Sequence, residues 1–162
     1  MSSAQVQSLS IDMLVVDDDE QLREDMTRFF SRLGYAVSEC ENGAEAIEHA
    51  VHRAFDVVVL DMMMPGMTGL ETLRTLKERG CEAEFVMLTG EGTIETAVQA
   101  IKLGAREFLT KPTSLKELDR LVRKAIDSRR LRKENEQLKA VIHQQTPNRG
   151  MIGDSAELQQ VL

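Results

Sequence analysis

No stretch of this chain is apolar over anything near the roughly 20 residues that a membrane span requires. The opening Met1-Ser2-Ser3-Ala4-Gln5 lacks the basic and then apolar pattern of a secretory signal. Both absences predict a cytoplasmic protein without a membrane partner. The two cysteines, Cys40 and Cys81, have neither CxxC nor metal-ligand spacing and read as reduced structural or surface thiols. No G-x-x-x-x-G-K phosphate loop occurs and no helix-turn-helix pattern is evident, so neither ATP hydrolysis nor DNA binding is expected of these 162 residues. Tryptophan is missing and aromatics make up 4%, which counts against a flavin-binding electron carrier. The net charge of −7 is uneven: residues 116–139 hold nine Lys/Arg against five Asp/Glu, leaving the rest at −11. An acidic body of this kind does not bind nucleic acid directly.

What is present is an alternation. Apolar runs of four to six residues near 11–16, 35–39, 55–60, 84–88 and 106–109 read as strands, too apolar for a sheet with one wet face. Helical periodicity fills the gaps. The first helix carries Leu22, Met26, Phe29, Phe30 and Leu33 and stops at Gly34; the third runs from Leu70 to Gly80; the fourth carries Ile94, Ala97, Val98 and Ile101 and stops at Gly104. Strict βα alternation with short crossovers forces parallel pairing. The expected architecture is α/β, a flavodoxin-like (βα)5 three-layer sandwich with sheet order 2-1-3-4-5.

In that order strands 1 and 3 flank the point where the winding reverses. Asp17 and Asp18, after Met13-Leu14-Val15-Val16, then converge with Asp61, which closes Phe55-Asp56-Val57-Val58-Val59-Leu60. Clustered acids repel unless a cation joins them, and oxygen ligands of this kind suit Mg²⁺. One carboxylate could serve as a nucleophile toward a phosphoryl donor. Asp19, where the first helix begins, reads as its cap. Strand 4 ends in Thr89 and strand 5 in Phe108-Leu109-Thr110-Lys111-Pro112, which puts a hydroxyl and an amine at the same sheet edge. Together these groups form a phosphoryl-handling site. His49 and His52, three apart on the second helix, lack an evident third metal ligand.

These residues carry a resemblance. Val15-Val16-Asp17-Asp18, Asp61-x-x-Met64-Pro65-x-Met67-x-Gly69, Leu88-Thr89-Gly90, Gly104-Ala105 and Phe108-Leu109-Thr110-Lys111-Pro112 make residues 9–128 similar to a response-regulator receiver domain of two-component signalling. The resemblance implies that Asp61 accepts a phosphoryl group from a sensor histidine kinase. It implies Mg²⁺ on Asp17, Asp18, Asp61 and the backbone carbonyl of Met63. Thr89 and Phe108 become a switch, Lys111 a phosphoryl partner, and the Lys111–Pro112 bond is expected to be cis. The family remodels the face of helix 4, strand 5 and helix 5, which implies a homodimer through that face. Met63 and Glu91, each two residues after a site residue, flank the expected path of a hydrolytic water, and Met63 can neither orient nor deprotonate one. The acyl phosphate is therefore expected to be long-lived. A phosphohydrolase with an aspartyl nucleophile is the rival from another class, but it would usually place a second acid where Met63 stands.

Residues 1–8 are expected to be disordered. Beyond residue 128 the fifth helix continues as a linker over 129–145, where Leu131, Asn135, Leu138 and Ile142 follow the 4-3-4 spacing of a short coiled-coil seam. Leu121 and Ser128 extend it poorly toward the receiver. This suggests a parallel dimer; a DNA-gripping basic region before a zipper needs a longer leucine repeat, and a tail folded back on the domain is the other alternative. Gln144 to Arg149 reads as a break, punctuated by Pro147 and Gly150. Residues 146–162 then form a linker and, over Met151 to Leu162, resemble the first residues of the AAA+ domain of sigma-54-dependent activators. That resemblance implies a regulatory segment controlling an attached AAA+ domain; the alternative is a stand-alone or differently coupled receiver module.

Overall fold

The computed structural model describes the backbone of residues 10–149 and the side chains of residues 10–138. Five strands alternate with five helices: β1 (Asp12–Val16), α1 (Glu20–Arg32), β2 (Ala36–Cys40), α2 (Gly43–His52), β3 (Val57–Asp61), α3 (Gly69–Glu78), β4 (Glu84–Thr89), α4 (Ile94–Lys102), β5 (Glu107–Thr110) and α5 (Leu115–Arg149). The strands form one parallel sheet in the order β2-β1-β3-β4-β5, as the alternation predicts. The chain divides into two units, Met1–Asp127 and Ser128–Leu162, with α5 crossing the division.

Strand pleating sends alternate residues to opposite faces, and the core splits accordingly. Leu14, Val16, Val58, Leu60, Phe85 and Met87 pack with Ala46 of α2, Leu73 and Leu76 of α3 and Ala100 of α4. Met13, Val15, Val57, Val59, Val86 and Leu88 pack with Met26 and Phe30 of α1 and Leu118, Val122, Ala125 and Ile126 of α5. The sheet thus lies between a three-helix and a two-helix layer. β3 and β4 are buried along their whole length and β1 almost so, whereas the edge strands β2 and β5 are mostly half-buried. The expectation that every strand is covered on both faces therefore holds only for the central three, because an edge strand has a neighbour on one side alone.

Helix ends follow local chemistry. Asp19 caps α1, its side chain accepting from the Leu22 N–H at 3.2 Å, and Thr68 with Glu71 forms a reciprocal capping box on α3. Gly34, Gly80 and Gly104 take positive φ at the expected stops.

Of the α4 stripe, Ile94, Val98 and Ile101 are exposed, at 83%, 44% and 50%, and Ala100 is the buried residue of that helix. Periodicity identifies an apolar face without saying what covers it. Two expectations about α5 need correction. Leu121 is 5% exposed and belongs to the domain core, not to the linker seam. Finally, α5 does not break at Gln144 but runs to Arg149. Residues 115–146 contain neither Gly nor Pro. Pro147 falls only in the last turn, close to where the helix ends. The expectations for residues 1–8, for the Ile142 side chain and for Gly150 to Leu162 lie outside the described residues.

Candidate functional site

The C-terminal ends of β1, β3, β4 and β5 place Asp17, Asp61, Thr89 and Lys111 on one edge of the sheet. Register fixes this: Val16 pairs with Leu60, Asp61 with Leu88, and Thr89 with Thr110. Asp17 is fully buried just past β1 and Asp61, the last residue of β3, is 2% exposed. Asp18 is exposed beside them, and carboxylate oxygens of Asp17, Asp18 and Asp61 lie within 4.8 Å of one another. Among the described residues this is the one group of three or more such side chains placed to hold a metal ion; His49 and His52 are not part of it.

Lys111 spans the acids. Its Nζ donates to Asp17 Oδ2 at 3.1 Å and stands 3.5 Å from Asp61 Oδ1. The Lys111–Pro112 bond is cis, and the Lys111 N–H donates to the Thr89 carbonyl at 2.6 Å, tying the ends of β4 and β5. Asp17 is further fixed by the Asp19 N–H on its Oδ1 at 2.9 Å, while Arg23 donates to its carbonyl at 2.7 Å. Sequence reasoning did not single out Arg23; its spacing from Asp17 along α1 is the available signal.

The electrostatics oppose each other. Burial, followed by the charge of Asp17, pushes the Asp61 carboxyl up to about 7, against the lowering effects of Lys111 and the Met63 N–H. Burial works to lower the Lys111 ammonium, but its hydrogen bond to Asp17 and the charges of Asp17 and Asp61 outweigh it and the net shift is upward. A group of three carboxylates with one amine is short of positive charge. That deficit, with oxygen donors only, fits a hard divalent cation.

Met63 meets the site through its backbone: its N–H donates to Asp61 Oδ1 at 3.2 Å, and its side chain is 60% exposed. Thr89 is buried, and its Oγ1 accepts the Glu91 N–H at 3.2 Å. Phe108 is half-buried against the α2–α3–α4 side of the core. Gly69 belongs to the sequence pattern after Asp61, and the structure supplies a reason for it. A Cβ there would strike the Asp61 carbonyl oxygen and fall 2.6 Å from Met62 Cα. Its absence lets the start of α3 lie against the end of β3. Cys40 lies outside the site, its thiol pushed up to about 12 by burial, and Cys81 is half-buried.

Residues 13–123 match the family model described as the response regulator receiver domain. Response regulator MprA of Mycobacterium sp. (strain KMS) is 37% identical over 110 residues, covering 68% of this chain and 48% of MprA. Transcriptional activator protein PfeR of Pseudomonas aeruginosa is 38% identical over 107 residues, covering 66% of this chain and 35% of PfeR. The chain therefore spans about half or less of these relatives' length. Among solved structures, the Francisella response regulator 1452 receiver domain superposes with a TM-score of 0.69 at 27% identity, covering 73% of this chain and 98% of that one. NtrX from Brucella abortus superposes with a TM-score of 0.76 at 32% identity, covering 81% of this chain and 30% of NtrX.

Proposed function

The chain belongs to the response regulator receiver domain family, and from that premise we propose that it is a phosphorylation switch whose phosphoacceptor is Asp61. The donor is a sensor histidine kinase. A carboxylate oxygen of Asp61 attacks the phosphorus of a phosphohistidine, the P–N bond breaks as the P–O bond forms, and the leaving imidazole retains the bonding electrons and takes up a proton. Asp17, Asp18, Asp61 and the Met63 carbonyl are the ligands proposed for Mg²⁺. When bound, a divalent cation supplies positive charge that keeps the acids ionised and offsets charge on the phosphoryl oxygens.

The observation that carries this reading is Lys111 standing between two buried acids, 3.1 Å from Asp17 and 3.5 Å from Asp61. A structural ion pair needs one acid; the second is left over for chemistry. The Lys111 ammonium already sits beside the oxygen that receives the phosphoryl group and can follow it. Thr89 turns its hydroxyl from the Glu91 N–H to a phosphoryl oxygen, and Phe108 on the neighbouring strand follows. The decisive experiment exposes the protein to a small acyl phosphate donor with Mg²⁺ and locates the phosphoryl group by mass spectrometry. It is expected on Asp61, with none acquired by Asp61→Asn; stable labelling of another residue in the wild type would overturn the assignment.

The Met63 side chain offers a water approaching the acyl phosphate no donor and only a weak thioether acceptor. Slow loss of phosphate follows, and Met63→Asn is expected to hydrolyse it several-fold faster; equal rates would remove this role for Met63.

The output surface is the face of α4, β5 and α5, through which a homodimer forms. Its support is the exposed Ile94, Val98 and Ile101. The module so controlled is an AAA+ domain of a transcriptional activator. Support comes from the resemblance of residues 151–162 to the start of such a domain and from the likeness to NtrX, which has been crystallised with ADP and with ATP.

A further inference from the structure

Gly92 lies in the loop between Thr89, the last residue of β4, and Thr93, the N-cap of α4. Its backbone is not left-handed, so conformation alone does not call for glycine. Space does. A Cβ at this position would fall 2.8 Å from Thr110 Oγ1, 3.3 Å from Phe108 Cε2 and 3.3 Å from Thr89 Cγ2. Side chains from the ends of two adjacent strands therefore close on the space where a Cβ would stand. Gly90, two residues earlier in the same loop, is different: a Cβ there meets nothing within 4 Å, and its φ is not left-handed either.

Thr89 touches this loop twice. Its Oγ1 accepts the Glu91 N–H at 3.2 Å, and its methyl faces Gly92. Both atoms are carried on the same Cβ, so one rotation about χ1 releases the Glu91 N–H and displaces the methyl from Gly92 in the same movement. Phe108 reaches the same space from β5. On the other side of Gly92 the chain is stiff, because Thr93 and Thr96 cap α4 reciprocally, with side-chain and backbone contacts of 3.0 to 3.1 Å. A displacement at Gly92 thus reaches the first turn of α4, where Ile94 stands exposed.

We propose that Gly92 is a positioning residue that links the Thr89 hydroxyl and the Phe108 ring to the N-terminus of α4, its missing side chain being the clearance in which the two reorient. The proposal rests on the reading of Thr89 and Phe108 as the elements that answer phosphorylation of Asp61. Gly92 takes no part in the phosphoryl chemistry itself. A side chain at residue 92 strikes the Thr110 hydroxyl first and wedges against Phe108 and the Thr89 methyl, and so separates loading of Asp61 from the response of α4.

The test uses beryllium fluoride with Mg²⁺ as the acyl phosphate mimic, on the full chain and its Gly92→Ala and Gly90→Ala variants. Two quantities are read: the ¹⁹F signal of beryllium fluoride bound to the protein, which reports loading, and amide exchange over residues 91–98, which reports the loop and the start of α4. In the wild type and in Gly90→Ala, loading is expected to change exchange over this segment. In Gly92→Ala, loading is retained within about twofold while the change in exchange shrinks by about fivefold or more, the lower range of measured couplings between sites. Matching thermal midpoints of the two variants establish that both fold, and Gly92→Ala combined with Thr110→Ala, which removes the atom nearest residue 92 and leaves Thr89 and Phe108 in place, is expected to restore part of the response. A wild-type response in Gly92→Ala overturns the inference, as does an equal loss in Gly90→Ala, which would point to loop stiffness. If the wild type binds no beryllium fluoride, or Asp61→Asn binds it equally, the reading of Asp61 fails and the inference with it.

Discussion

Asp61 carries a carboxyl whose burial and acidic neighbour both oppose its charge. Its carboxyl is raised from 3.8 to about 7 by burial and then by Asp17. The folded state consequently binds more protons than the unfolded state between these values, so this group's contribution to stability is fully present below about 4 and is lost as pH rises through about 7. The whole effect is at most about 4 kcal/mol, since each tenfold change in proton affinity corresponds to roughly 1.4 kcal/mol. In chelator, urea denaturation of the wild type should give a stability falling over this window, while Asp61→Asn, which keeps the shape and removes the charge, should be flatter and more stable at pH 7. Mg²⁺ should raise the wild type at neutral pH and move the variant less. A wild-type profile parallel to that of Asp61→Asn would mean that the acids do not strain the fold. This conflict was only partly legible in the sequence. Strand ends and winding order predicted that Asp17, Asp18 and Asp61 meet, since topology alone brings them together. The depth at which Asp61 is buried and the bridging of two acids by Lys111 depend on packing around the strand ends, which no spacing records. Gly92 was silent for the same reason, because a glycine kept for space looks like any other loop glycine.

The elements show where periodicity informs and where it stops. Hydrophobic alternation located all five strands to within about two residues, because burial on both faces leaves few polar positions in β1, β3 and β4. The α4 stripe was equally periodic and yet faces outward. Leu73 of α3 is fully buried, whereas Ile94 and Val98 of α4 are 83% and 44% exposed. Truncating Leu73 to Ala removes transfer energy and opens a cavity, a loss of about 2–5 kcal/mol. Ile94→Ala and Val98→Ala should each stay within about 0.5 kcal/mol of the wild type. If the α4 face is the output surface, these same two substitutions should weaken the association induced by beryllium fluoride, measured by sedimentation, while leaving the urea midpoint nearly unchanged. A cost for Ile94→Ala comparable with that for Leu73→Ala would place the α4 stripe in the core instead.

At the scale of the whole molecule, the proposed homodimer can be tested in the second unit. The body is acidic, residues 116–139 carry a net positive charge, and α5 extends through them to Arg149. The first part of α5 packs Leu118, Val122, Ala125 and Ile126 into the core of the first unit, whereas the part from Ser128 onward lies outside that unit, and a helix gains most of its stability from packing an apolar face. Leu131 and Leu138, seven residues apart, are 64% and 61% exposed, with Asn135 on the same stripe and exposed as well. If a second copy covers this stripe in parallel register, the leucines contribute affinity and the asparagine fixes register at a cost in stability. Leu131→Ala with Leu138→Ala should then weaken self-association of the full chain by tenfold or more, since about 1.4 kcal/mol corresponds to each factor of ten. The urea midpoint of the first unit should not move. Asn135→Leu should act in the opposite direction, tightening association while admitting species beyond the dimer, which sedimentation equilibrium resolves. Dimer affinity unaltered by either change would assign the association entirely to the first unit and leave the leucines without a partner.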